Sequence, residues 1–243
     1  MVKHASSAGV IRETRRDQVF LAVLLVISAF ILVIELYPLI FVVSASFSDS
    51  DAISLGRVYL LPVNPSLDGY RMLLKEKDIL TGFKNSVIYL AVGTTVNMLL
   101  TMLLAFPLSR REMPGRNIIT FFVALTMYVS GGLIPTYLMV SNLGMVDTLW
   151  GIIVPNAIST TNMIIMRTYF QNSIPESLYE AATLDGSNYT KYLLRVVLPL
   201  SMPIVAVIGL YYGVGHWNNY FDALIYLRST EKQSLQLVLR NIL

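Results

Sequence analysis

No cysteine occurs in the 243 residues, which excludes a disulfide framework and a thiolate metal site. Histidine is almost as scarce. His4 and His216 are the only two, too few for a histidine metal cage. Charged residues make up 14% of the chain, where a soluble domain carries about a quarter. No Gly-x-x-x-x-Gly-Lys-Ser/Thr stretch is present, and Gly213-Val214-Gly215 lacks the rest of a dinucleotide fingerprint. Nucleotide hydrolysis is therefore not expected in this chain, and the chain is not expected to be an enzyme.

What the sequence has in excess is apolar residues, 55% of the total, and they fall in long runs. A bilayer core about 30 Å thick takes about 20 apolar residues of helix. Five segments fit, at about 18–43, 83–108, 117–140, 149–169 and 192–214. This predicts an all-α polytopic membrane protein with a short N-terminal tail, 1–17, and one membrane domain, 18–243. The first run has a basic lead and the small residues Ser44-Ala45-Ser46 after it, as a signal peptide would. It is longer than a signal peptide's apolar core, and further spans follow.

The cations mark the sides of the membrane. Lys3, Arg12, Arg15 and Arg16 precede the first run, and Arg110, Arg111 and Arg116 lie between the second and third. Arg167, Lys191 and Arg195 flank the connection between the fourth and fifth. The connection near Ser141 to Thr148 has neither Lys nor Arg. The positive-inside bias places the N-terminus and the second and fourth connections in the cytoplasm. It also explains the net charge of +3 without nucleic acid. Five spans from a cytoplasmic start leave the C-terminus outside. The closing Leu235 to Leu243 suits a short amphipathic run, so a sixth span is expected to be missing after it.

The fourth connection, 171–191, holds the most specific signal. Ser173 is placed to cap a helix, Pro175 suits its first turn, and Glu176 sits three residues after the cap. Gly186 supplies a stop, since glycine tolerates the left-handed conformation that ends helices. A helix of about three turns, roughly 18 Å, is too short and too polar to span. Ile174, Leu178 and Ala182 fall on one face, and Glu176 and Glu180 on another. Ala181 and Ala182 keep the middle thin. A second helix is expected from Ser187 or Asn188 into the fifth span, where Pro199 and Pro203 should loosen or kink it.

The order Glu180-Ala181-Ala182, three residues, Gly186, nine residues, then Val196-Val197-Leu198-Pro199 resembles a family signature. It looks like the EAA loop of binding-protein-dependent ABC importer permeases, with Val196 in place of isoleucine. The preceding Ile174-Pro175 and Leu178 match the usual lead-in, and the resemblance extends over essentially the whole chain. Trp217 to Asp222 and the closing segment look like the carbohydrate-uptake branch, closest to the LplC/YtcP group. The resemblance implies a type I (MetI-like) permease bundle in the bacterial cytoplasmic membrane. It implies a second permease subunit, as a heterodimer, two cytoplasmic ATPases that use ATP-Mg, and an extracytoplasmic solute-binding protein. This chain would bind no cofactor itself. Leu178, Glu180, Ala181, Ala182, Asp185 and Gly186 would couple it to an ATPase. The same architecture serving another solute is the alternative. A secondary transporter would show an internal repeat and mid-membrane charges, neither of which is evident.

Other polar residues have weaker readings. Trp217, Asn218, Asn219 and Tyr220 suit sugar contact, since rings stack on sugar faces and amides bond hydroxyls. They equally suit an interfacial aromatic belt. Asn156, Asn162, Tyr128 and Thr126 within spans suit a substrate pathway or helix–helix hydrogen bonds. Glu35 lies near the outer end of the first span, where a carboxylate meets water. Gly131-Gly132 suits close packing or a break, and Asp147 suits a cap for the fourth span. Arg110, Arg111 and Arg116 together suit topology and lipid headgroups.

Overall fold

The computed structural model describes residues 14–242. Most of the expected tail, with Lys3, His4 and Arg12, lies outside them, as does Leu243. The chain divides into two compact units, Met1–Lys75 and Glu76–Leu243.

In the first unit, α1 (Arg15–Ser46) starts at a capping box. Thr14 Oγ1 accepts from Asp17 N at 3.3 Å, and Asp17 Oδ2 accepts from Thr14 N at 2.9 Å. The helix is apolar and long enough to cross a bilayer, and most of its side chains are exposed. Glu35 is exposed about 30 Å along it from Arg15. Beyond α1 lie α2 (Ser50–Ser54) and α3 (Asp68–Lys75). Serines tie the returning chain to the end of α1. Ser44 Oγ donates to Leu60 O at 2.7 Å, and Ser48 Oγ accepts from Val63 N at 3.0 Å.

The second unit is built around α4 (Lys77–Ser109), among the described residues the other helix long and apolar enough to span by itself. In lipid, apolar burial does not drive helices together, so close packing must. Along α4 the buried positions Gly82, Ser86, Tyr89, Gly93, Asn97, Thr101 and Ala105 recur at three- or four-residue steps and, Tyr89 aside, are mostly small. The other helices settle against this seam. A Cβ at Gly93 would collide with the His216 ring, and one at Gly82 would lie 3.1 Å from the backbone of Leu235.

The later expected spans are not single helices. The run over 117–140 is α5 (Arg116–Leu125) and α6 (Leu133–Asn142), separated where Gly132 takes φ +85°. Gly131-Gly132 thus serves a break. The run over 149–169 is α7 (Leu149–Ile153) and α8 (Thr160–Ser173), separated around Pro155, with Ser159 capping α8. The last run is α10 (Tyr189–Tyr192), a π-helical turn (Leu193–Val197), α11 (Leu198–Leu200) and α12 (Met202–Asn218). Its two halves meet at Ser201 with an 84° bend. Pro199 and Pro203 flank that point, and neither can donate to the carbonyl four residues back.

After α12 come α13 (Phe221–Tyr226), a 3-10 turn (Thr230–Lys232) and α14 (Leu235–Ile242). These fold back on the start of α4. Ser86 Oγ accepts from Leu235 N at 2.9 Å, and Tyr89 Oη donates to Lys232 O at 2.6 Å. Asp147 does not cap α7, whose preceding residue Thr148 makes no side-chain cap. It takes φ +60°, and its carboxylate accepts from Arg228 N, Ser229 N, Ser229 Oγ and Lys232 Nζ at 2.6–3.0 Å. The Ser229 hydroxyl and then the Lys232 ammonium hold that carboxyl well below the usual range.

Candidate functional site

Two sites stand out in the second unit. The first is the short helix α9 (Glu176–Leu184) between α8 and α10. Its start follows from one proline. A residue before proline is pushed into extended backbone, so Ile174 (φ −113°, ψ 107°) ends α8, and Pro175 stands at the N-cap without a side-chain bond. Ser173, expected as the cap, is instead the last residue of α8. The helix is about 14 Å long, shorter than the three turns expected.

Its end is a complete Schellman motif. Ser187 N donates to Ala182 O at 2.9 Å and Gly186 N to Thr183 O at 3.0 Å, with Gly186 at φ +71°. Immediately afterwards Asn188 Oδ1 accepts from Lys191 N at 2.8 Å and caps α10. The linker between α9 and α10 is therefore pinned at both ends.

The faces of α9 divide by burial. Tyr179 and Ala182 are half-buried against the apolar cluster that contains Phe106, Phe170, Ile174 and Tyr192. Tyr179 stacks on Tyr189 with ring centroids 5.7 Å apart and meets Tyr192 edge-on at 5.2 Å. Leu178, Glu180, Ala181, Asp185 and Gly186 are exposed, and Leu184 is 90% exposed. Leu178, Ala181 and Leu184 form an apolar stripe at three-residue steps, flanked by the two acidic residues. Of the six expected coupling residues, Ala182 faces the chain's own core. Ile174 belongs to that core and not to α9.

The basic turn before α5 is not a uniform headgroup patch. Arg110 is 9% exposed. Its guanidinium carbon lies 5.6 Å from the Phe106 ring, 5.9 Å from Tyr179 and 5.6 Å from Tyr192. Arg111 pairs across solvent with Glu176 at 3.6 Å, and Tyr189 Oη donates to Glu112 at 3.4 Å. The last carbonyls of α4 are satisfied from α8: Arg167 Nε donates to Leu108 O at 2.9 Å, and Gln171 Nε2 to Ser109 O at 3.4 Å. Nothing in the sequence separates Arg110 from Arg111 and Arg116, because its distinguishing feature is three rings from three different elements.

The second site is a polar cleft of about 380 Å³ among α4, α7, α8 and α12. Asn97, Asn156, Ser159, Asn162, Tyr212 and His216 line it. Asn97 Nδ2 donates to His216 Nε2 at 3.1 Å, Tyr212 Oη accepts from Ser159 N at 2.9 Å, and Thr101 and Tyr212 share a 2.6 Å hydrogen bond. Asn97 is 2% exposed, and its Oδ1 has no partner among the described residues. Asn156 and Asn219 both donate to Asp222 Oδ2, at 3.1 and 2.6 Å. Asn219, like Asn156, lines this cleft, and the other expected pathway residues lie elsewhere. Trp217 packs edge-on against Phe83 at 6.0 Å, Asn218 and Tyr220 line a separate hollow, and Tyr128 stands 85% exposed between α5 and α6. Asn97, Ser159, Tyr212 and His216 were missed. Asn97 and Thr101 carried the available signal, being polar residues four apart inside an apolar run.

A short capped helix joined to a bent span, with a separate cleft among the helices, suits a membrane permease. Residues 97–230 match the family described as binding-protein-dependent transport system inner membrane component, and the chain belongs to that family. It is a permease subunit of an ABC importer. The chain is 42% identical over 205 residues to the polygalacturonan/rhamnogalacturonan transport system permease YtcP of Bacillus subtilis (strain 168), covering 84% of this chain and 71% of YtcP. It is 36% identical to LplC of the same organism, over 86% of this chain and 70% of LplC. A solved bacterial ABC transporter involved in import of the acidic polysaccharide alginate contains a chain of the same fold. That chain has a TM-score of 0.88 and 35% identity, with 94% of this chain and 81% of the other covered.

Proposed function

We propose that this chain carries a sugar or oligosaccharide across the bacterial cytoplasmic membrane, and that α9 takes the stroke of a partner ATPase. The carrying observation is α9 itself: an exposed Leu178–Ala181–Leu184 stripe on a short helix whose Schellman end leads directly into the capped start of α10. A partner groove that accepts the stripe and complements Glu180 and Asp185 would move α9 and α10 together. The motion would reach α12 through the 84° bend at Ser201 and so reshape the cleft, whose wall includes Tyr212 and His216. The cleft's amides and hydroxyls suit the hydroxyls of a sugar. The names of YtcP and of the alginate transporter support a saccharide cargo. The complete machine would pair this chain with a second, different permease subunit, two ATPases that hydrolyse ATP-Mg, and an extracytoplasmic solute-binding protein. The N-terminus, the 109–116 turn and α9 would lie in the cytoplasm.

The experiment is sugar uptake by the reconstituted transporter carrying Glu180→Arg. Uptake is expected to vanish while the permease remains in the membrane. Normal uptake with unchanged ATPase stimulation would refute the coupling role. For sidedness, a reporter fused after Gly115 should be cytoplasmic and one fused after Asp147 outside; the reverse pattern would overturn the topology.

A further inference from the structure

We infer that Arg110 is a positioning residue for coupling. It pins α9 and α10 to the end of α4, so that the stroke reaches α4 and α8 as well as α12. This rests on the proposed role of α9.

The reasoning starts from how weakly α9 is held otherwise. A helix of 9 residues is marginal by itself. Its inward contacts are Tyr179 and Ala182. Tyr179 closes one wall of a cage completed by Phe106 of α4 and Tyr192 of α10. The guanidinium inside that cage therefore touches all three elements. It is nearly buried, and among the described residues no carboxylate lies within 4.0 Å of it. Its one side-chain hydrogen bond among the described residues is long, from Nε to Ser109 Oγ at 3.4 Å. A buried cation without a counter-ion needs other compensation, and here the ring faces supply it. Withdrawing α9 or α10 from α4 removes the Tyr179 and Tyr192 faces from that charge. Separation is penalised by the cation itself, which makes the junction stiff.

The clamp continues to α8. Arg167 and Gln171 hold the Leu108 and Ser109 carbonyls, and Arg116 Nη1 donates to Arg110 O at 3.3 Å. Asn97 on α4 and Asn162 on α8 both line the cleft. A push on α9 thus has a second route to the cleft, independent of the proline bend. The two rings contributed by α9 and α10 are each worth about a two- to fivefold factor in an equilibrium, so losing both amounts to about tenfold.

The test uses the complete transporter in proteoliposomes. This permease has no cysteine, so Leu103→Cys on exposed α4 surface and Ser177→Cys on exposed α9 surface are its sole spin-label sites once any cysteines of the partner subunits are replaced. With Arg110 present, the label distance should be single and unshifted between the ATP-free and vanadate-trapped states. Arg110→Met keeps the stem and removes the charge. It should broaden and shift the distance and lower sugar moved per ATP hydrolysed about tenfold, with ATPase subunits still co-purifying. Arg110→Lys should recover much of the ratio. Tyr179→Leu should reproduce the Arg110→Met distances if that variant assembles poorly. A normal transport-to-hydrolysis ratio in assembled Arg110→Met, or a wild-type distance that shifts between states, overturns the inference. Normal uptake by Glu180→Arg would instead sink the reading of α9, leaving the distance measurement on Arg110 to stand by itself.

Discussion

Replacing Gly186 tests whether the backbone turn after α9, and not a side-chain contact, transmits force. Gly186 sits at φ +71°, and a Cβ there would meet nothing within 4 Å in this chain. The cost of substitution is therefore backbone strain alone. An ordinary L-residue in the left-handed region costs about 1–2 kcal/mol, and a β-branched one more. Opposing that strain are the two cap bonds, Ser187 N to Ala182 O and Gly186 N to Thr183 O, worth about 1 kcal/mol each. Alanine should leave the cap mostly formed, and asparagine, which tolerates this conformation, should change little. Valine should tip the balance, open the motif and let the last turn of α9 fray. The expected order in sugar uptake by reconstituted transporter is Gly, Asn, Ala, Val. Ala should be about fivefold down, the scale of about 1 kcal/mol, and Val about thirtyfold or more, the scale of about 2 kcal/mol and above. Membrane level and ATPase co-purification should be preserved throughout. Valine at the glycine level would refute the reasoning. Asparagine as damaging as valine would show that a partner's close approach, and not φ, requires the glycine.

Other expectations follow from the same geometry. The Asp147 carboxyl is depressed in the folded state below a carboxylate's ordinary 3.8, so its stabilisation is complete above that value and is lost as pH falls through it toward the folded value. Asp147→Asn keeps tolerance of φ +60° but removes the charge. It should lower the Tm in detergent at pH 6 and differ less from wild type near pH 3; an equal gap at both would refute the role. In the cleft, Asn97→Leu removes an unpartnered buried oxygen along with the bond to His216. Permease abundance should hold while the KM for sugar uptake rises about threefold, the scale of one hydrogen bond. An unchanged KM would remove Asn97 from the pathway.

The amino-acid sequence alone determined the features that depend on nearest neighbours and composition. Long apolar runs separated by basic turns mark a membrane chain whatever its packing. Gly186 ends α9 because only its own φ is at stake. Pro199 and Pro203 bend the last span because each removes a donor locally, although the bend's site at Ser201 and its size of 84° come from the structure. The tertiary structure decided what depends on residues far apart in the chain. Apolarity over 117–140 and 149–169 does not reveal that each run is interrupted, because broken helices stay apolar. Ser173 looks like a cap until Pro175 forces Ile174 out of helical backbone. Asp147 looks like a cap until Arg228, Ser229 and Lys232 return to it from some 80 residues later. Arg110, Arg111 and Arg116 are equivalent as charges, and only the arrival of Tyr179 and Tyr192 beside Phe106 makes Arg110 different. Asn97 and His216 meet because Gly93 admits the imidazole to the face of α4. A local φ or a missing donor is written at one position; a cage or a cleft exists only where distant helices converge.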